Sequence, residues 1–202
     1  MTAKFSGDPK TTWISESGAD RRMYLMEDFH FTDKNGSVWL APAGSLIDGA
    51  SIPRAFWSII GPPYVGDYRR ASIVHDVACV NANARQERRA ADRMFYQACR
   101  AGGCSTRSSI ILYIGVRIGA WWKYKSSLEN DSTDPRIVEP TSSTALRSLL
   151  KESAESIFQS KGEIDDVEIL EELMDQIEPT LDQRFDKAIK LKEETRGVLE
   201  PN

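Results

Sequence analysis

Every tryptophan, tyrosine, cysteine and histidine of this 202-residue chain lies within residues 1–125. Charge divides at the same place. Residues 1–125 carry 17 basic and 11 acidic side chains; residues 126–202 carry 9 and 19, and Phe158 and Phe185 are their only aromatic residues. A single folding unit of uniform composition does not follow from such a partition. It predicts a basic body at 1–125 with enough aromatic and aliphatic material for its own core, and an acidic extension beyond it.

The body reads as α+β. From Met23 to Phe31 apolar residues alternate with polar or smaller ones, the pattern of a half-buried strand. Asp33-Lys34-Asn35-Gly36 is a hairpin signal, and Ser37-Val38-Trp39-Leu40 is the return strand. Helical spacing then predicts helices over about 68–84, capped by Asp67, over 88–101, stopped by Gly102-Gly103, and over 108–125. The fold expected is a small N-terminal antiparallel sheet, a helical body and a C-terminal amphipathic helical extension.

Residues 126–141, with Pro135, Pro140 and several Ser and Asn, read as a linker. Helical periodicity returns in 142–202 and suggests three short amphipathic helices, the last starting at a capping box of Thr180 and Gln183 just after Pro179. Leu146, Leu149, Leu150, Ile157, Phe158 and Phe185 form apolar stripes that mark a partner-binding surface. Isolated helices of this length are marginal, so they must pack on each other, on the body or on a partner.

Several function classes are disfavoured. Cys79, Cys99 and Cys104 are too few for a disulfide framework. The first residues hold no apolar stretch for a signal peptide. The apolar run Ile110–Trp122 is 13 residues long and contains Arg117, which suits a buried helix rather than a membrane span of about 20 residues. Without a C-x-x-C or H-x-x-x-H spacing, a zinc site is not expected. Arg85, Arg88, Arg89 and Arg93 form a basic cluster that phosphates could occupy, but the acidic extension competes for it, in cis or in a neighbouring copy, so nucleic acid is not the expected partner.

The residues with chemical potential are Asp48, in Asp48-Gly49-Ala50-Ser51-Ile52-Pro53-Arg54, then His75-Asp76, then Asp92. Neighbours on a helix point about 100° apart, so His75 and Asp76 serve different surroundings. If the two helices run antiparallel, a register with His75 opposite Asp92 is feasible. Asp92 then orients the imidazole, and the other ring nitrogen takes a proton from water. Asp76 with Asp48 can bind calcium or another hard divalent cation. The same register sets Cys79 beside Arg88 and Cys99 beside Tyr68, too far apart for a disulfide. A structural His–Asp pair and a simple Asp-Gly turn at Asp48 remain open. Ser51 is not in a nucleophile elbow, and His30 reads as a surface or packing residue.

His75-Asp76 followed by Asp92 resembles the phospholipase A2 superfamily, in which a helical His-Asp pair supplies the base and a calcium ligand and an Asp on an antiparallel helix supports the His. A glycine-rich calcium loop has only a loose counterpart here, Gly61 to Gly66. A wider set of motifs, Leu40-Ala41-Pro42 with Gly44-Ser45, Asp48 to Arg54, Ala71 to Asp76, and Ala91 to Phe95 with Gly102, resembles the phage and prophage family catalogued as domain of unknown function 1353, over about residues 20–122.

The resemblance implies a phage or prophage origin. The function expected is that of a noncatalytic virion or assembly protein whose helical extension binds other phage subunits. The alternative is a metal-assisted hydrolase with a His75/Asp92 dyad acting on a lipid or cell-envelope substrate. The location implied is the host cytoplasm during phage production, with incorporation into the virion, self-association and peripheral membrane contact left open.

Overall fold

The computed structural model describes residues 2–15, 22–47, 56–61, 66–129, 143–161 and 164–198. Two three-stranded antiparallel sheets open the chain. One has the order β1 (Lys4–Phe5), β4 (Phe29–Thr32), β5 (Val38–Ala41); the other has β2 (Thr11–Trp13), β3 (Met23–Leu25), β6 (Leu46–Ile47). The alternation seen from Met23 to Phe31 is real, but it is not one strand. It breaks at 26–28, and its halves join different sheets. The expected hairpin links β4 and β5. Gly36 adopts φ 88° and its N–H donates to the Asp33 carbonyl, while the Asp33 carboxylate accepts from the N–H groups of Asn35 and Ser37. Register pairs Phe29 with Ala41 and Phe31 with Trp39. Phe29, Phe31 and Ala41 are buried there, and His30 and Leu40 take the opposite face.

The helices are α1 (Trp57–Ile60), α2 (Arg69–Asn81), α3 (Arg85–Gly102), α4 (Thr106–Glu129), α5 (Ser143–Lys161) and α6 (Val167–Val198). Helix α2 packs on β4, β5 and β6 and also on α3. Its N-cap is Tyr68, with no side-chain cap, so Asp67 does not play the expected role. Helix α3 begins three residues earlier than the apolar stripe suggests. The Glu87 carboxylate accepts from the N–H groups of Asn83 and Ala84 and so satisfies donors at that end. At the other end Gly103 is left-handed at φ 109°, and a Cβ at Gly102 would strike the Asp67 carbonyl oxygen.

The run Ile110–Trp122 lies in α4 as a core helix: Ile110, Leu112, Ile114, Val116 and Ile118 are all buried. No described helix is long and apolar enough to cross a membrane. The boundary expected at residue 125 falls inside α4, which runs to Glu129.

The extension forms two described helices rather than three. Helix α6 passes through Pro179, so the Thr180–Gln183 capping box is not a helix start. Proline removes one intrahelical hydrogen bond and crowds the carbonyl four residues back. Against that cost, Leu170, Met174 and Leu181 are buried along the helix on both sides of the proline. Leu150, Ala154 and Ile157 of α5 join the same core as the body.

Charge closes the assembly. Arg117 of α4 is 3 % exposed, donates to the Tyr113 hydroxyl, and pairs with Asp175 and Glu178 of α6. Arg85 and Arg89 reach Glu178, Arg93 reaches Glu171, and Arg100 reaches Asp165. The acidic extension therefore covers the basic patch in cis.

Removing one partner of a buried ion pair costs about 3–5 kcal/mol, because the other charge stays desolvated. Replacing one end of an exposed pair costs about 1 kcal/mol or less. Arg117→Ala is therefore expected to lose several-fold more unfolding free energy in urea than Lys10→Ala, which opens the exposed Lys10–Glu27 pair. Equal losses would show that the α4–α6 ion pairs do not hold the extension in place.

Candidate functional site

Helices α2 and α3 form an antiparallel pair, joined by residues 82–84. Ala71, Val74, Ala91, Met94, Phe95 and Ala98 are buried in this region of the body. Small residues let the two helices approach closely, and the approach decides which polar side chains meet. His75 Nε2 lies 2.8 Å from Asp92 Oδ1, the register that an antiparallel pairing of the two helices allows. His75 is 0 % exposed and Asp92 1 %, and the Phe95 ring lies 4.6 Å from the imidazole, tilted by 37°.

A third residue joins them. Cys79 Sγ lies 3.3 Å from the same His75 Nε2. The spacing H-x-x-x-C puts both side chains on one face of α2, one turn apart. A search for like ligands, two Cys or two His, passes over such a mixed pair. Among the described residues, His75, Cys79 and Asp92 form a set of nitrogen, sulfur and oxygen atoms within 4.8 Å of one another. Their donor types suit a zinc-class ion. However, Cys79 and Asp92 both address Nε2, so the three are not a nucleophile–base–acid relay, which needs partners on opposite ring nitrogens.

Asp76 is 4 % exposed in α2, and Asp48 lies outside the described residues. Leu150 and Ile157 are in the core, and Leu149 and Phe158 pack against it partly buried. These four expected partner-binding residues therefore make their contacts inside the chain. The side chains of Leu146 and Phe185 lie outside the described residues.

None of the three cysteines forms a disulfide, in agreement with the separation of Cys79 from Cys99. Cys99 and Cys104 share a hydrogen bond; burial pushes the Cys99 thiol well up, while the bond from Cys99 lowers Cys104.

Beside the His–Asp pair lies a cavity of about 380 Å³. Asp92 and Cys79 form part of its wall, with Arg88, Arg117, Trp121 and Glu178. Arg88 Nε lies 3.7 Å from Asp92 Oδ1, so Asp92 has a cation on its cavity side and an imidazole on its core side.

Residues 23–116 match a family described as "Protein of unknown function (DUF1353)", so the wider resemblance holds over a stretch that includes His75, Asp76, Cys79 and Asp92. "Uncharacterized protein y4jT" of Sinorhizobium fredii (strain NBRC 101917 / NGR234) is 39% identical over 132 residues, which are 63% of this chain and 37% of that protein. "Uncharacterized protein y4iH" of the same strain is 31% identical over 101 residues, 50% of this chain and 41% of that protein. The chain thus spans well under half the length of these relatives. No solved structure matches it.

Asp92→Ala removes the buried acceptor of His75 and the nearest carboxylate to Arg88. A loss of about 2–4 kcal/mol in urea unfolding is expected. Asp92→Asn keeps an oxygen at that position and is expected to cost less than half as much. Equal stability of the alanine variant and the unmodified chain would mean that the pair contributes nothing to the fold.

Proposed function

We propose that the DUF1353 segment of this chain, residues 23–116, is a hydrolase that uses His75 as general base and Asp92 as its positioning residue, on an ester of a lipid or cell-envelope substrate. One observation carries the reading: Asp92 Oδ1 sits 2.8 Å from Nε2 in a buried environment. Asp92 engages Nε2, so the proton abstracted from water is taken at Nδ1. The imidazolium formed is then stabilised by the Asp92 carboxylate at close range, where the low local dielectric strengthens the attraction.

Nδ1 is itself buried, so the reading requires access from that side during turnover. The buried Asp76 carboxylate adjoins the base in sequence and suits a hard cation such as calcium, with Asp48 as the second proposed ligand. Such a cation supplies polarisation of the ester carbonyl when bound.

The second reading is the noncatalytic virion or assembly protein. It is supported by exposed apolar side chains on the sheets rather than by the extension. Tyr24 and Leu46 are cross-strand neighbours, and both are exposed; so are Val38 and Leu40 on the edge strand β5. Apolar surface of this kind suits a partner contact.

The test is release of fatty acid from phosphatidylglycerol vesicles, with calcium and with chelator. Positioned acid–base groups contribute about 10²–10⁴-fold in rate. His75→Ala and Asp92→Asn are expected to lose activity in that range while retaining the circular dichroism of the unmodified chain. An inactive unmodified chain sinks the lipid version. Activity that survives His75→Ala sinks the assignment of the base.

A further inference from the structure

We infer that the cavity bounded by α2, α3, α4 and α6 is a binding site for a small phosphate monoester, with Arg88 as the residue that recognises the phosphate. The inference is independent of the hydrolase reading, since the cavity lies on the Nε2 side of His75, where Asp92 and Cys79 form the wall.

The charge pattern of the wall singles out Arg88. Arg85, Arg89 and Arg117 also line the cavity, and each pairs with Glu178. Arg89 and Arg117 reach Asp175 as well. Arg88 is left out of that network: its nearest carboxylate oxygen, Asp92 Oδ1, is at 3.7 Å, beyond hydrogen-bond reach. Its Nε and Nη2 atoms are buried and have no hydrogen-bond partner among the described residues. Leaving charged donors desolvated and unsatisfied is costly. These two N–H groups point the same way along one edge of the planar guanidinium. Their complement is a pair of oxygens on one acid group, as in phosphate, sulfate or carboxylate.

Asp92 narrows the class. Its Oδ2 is likewise buried without a partner among the described residues, on a residue 1 % exposed that lines the same cavity. A second negative charge repels a bare oxyanion. It welcomes an anion that also carries a hydroxyl, because the carboxylate accepts that O–H. A phosphate group has such a hydroxyl in its monoanion, whereas sulfate is fully deprotonated near neutral pH. The pair of Arg88 and Asp92 therefore favours phosphate over sulfate.

Size and lining supply the rest. About 380 Å³ is more than a phosphate group fills. The remaining wall includes Ala82, Ala84, Ala120 and Trp121, which offer an apolar surface to the organic part of an ester. The Trp121 ring is fixed there, because its indole N–H donates to Asp182. Arg88 also sits near the start of α3, where the helix dipole favours an anion.

The experiment is isothermal titration of the full chain with phenyl phosphate, sodium sulfate and phenol at matched ionic strength. Arg88→Lys keeps the charge but removes the fork, and Arg88→Ala removes both. Since Arg88 Nε and Nη2 have no hydrogen-bond partner among the described residues, both variants should fold, which circular dichroism checks. Phenyl phosphate is expected to bind at least tenfold more tightly than sulfate or phenol, and Arg88→Lys to lose at least tenfold of that affinity. Co-sedimentation with phosphatidic acid vesicles separates the sources. Capture that Arg88→Ala abolishes assigns the phosphate to a lipid headgroup, and its absence alongside phenyl phosphate binding assigns it to a soluble ester. Failure to bind any phosphate monoester, or binding that both Arg88 variants retain, overturns the proposal. A chain inactive on vesicles but binding phenyl phosphate leaves it standing.

Discussion

Arg117 is the cation around which the two unlike parts of the chain are assembled. It sits in the apolar run of α4, almost without solvent, and no carboxylate of the body pairs with it among the described contacts. Its compensation comes from the Tyr113 hydroxyl and from Asp175 and Glu178, about sixty residues later in sequence. A buried arginine without these groups would be a large penalty, and the clustered carboxylates of α6 without cations nearby would repel one another. Docking α6 on α4 resolves both problems at once. Arg85, Arg89, Arg93 and Arg100 then continue the pairing along α3. The opposite charges of the two parts are therefore one feature: the basic face of the body and the acidic face of α6 are complementary surfaces of a single packed structure.

The same docking shapes the site. Helix α6 supplies Glu178 to the cavity wall and draws three of its arginines towards that carboxylate. Arg88 is held instead by its place one turn before Asp92 on α3. The basic patch that the sequence displays as one cluster is thus sorted by the fold into arginines paired with carboxylates of the extension and one, Arg88, that lines the cavity outside that pairing.

Much of this was legible from residue spacing. The register of His75 against Asp92 follows from two helices of known phase and a short connection, and the 2.8 Å contact realises it. The α+β order, the core placement of Ile110–Trp122 and the hairpin at Asp33–Gly36 follow from periodicity and turn chemistry in the same way. What was not legible depends on contacts between distant segments. Local chemistry at Pro179 and Thr180 argues for a helix boundary, and burial of Leu170, Met174 and Leu181 along one helix overrides it. The break between β3 and β4 depends on which strands each pairs with, which alternation alone does not encode. Stripes on α5 and α6 announce that something is covered; only the fold tells that the body does the covering. Cys79 was within reach, since its distance of four residues from His75 places it on the same helix face.

Asp92 is where these strands of the structure meet. One carboxylate oxygen holds the imidazole of His75 on the core side, and the other lies buried on a residue that lines the cavity. A carboxylate in this position cannot serve the two sides independently. A hydroxyl donated to Oδ2 withdraws charge from Oδ1 and weakens its hold on an imidazolium, because both oxygens share one negative charge. Approach of Arg88 to the carboxylate acts in the same direction. If His75 works as a base, a ligand in the cavity makes that base weaker. If His75 is only a core residue, the same ligand loosens the contact between α2 and α3. Under the proposed binding, Asp92 is the one side chain through which occupancy of the cavity would reach the His–Asp pair.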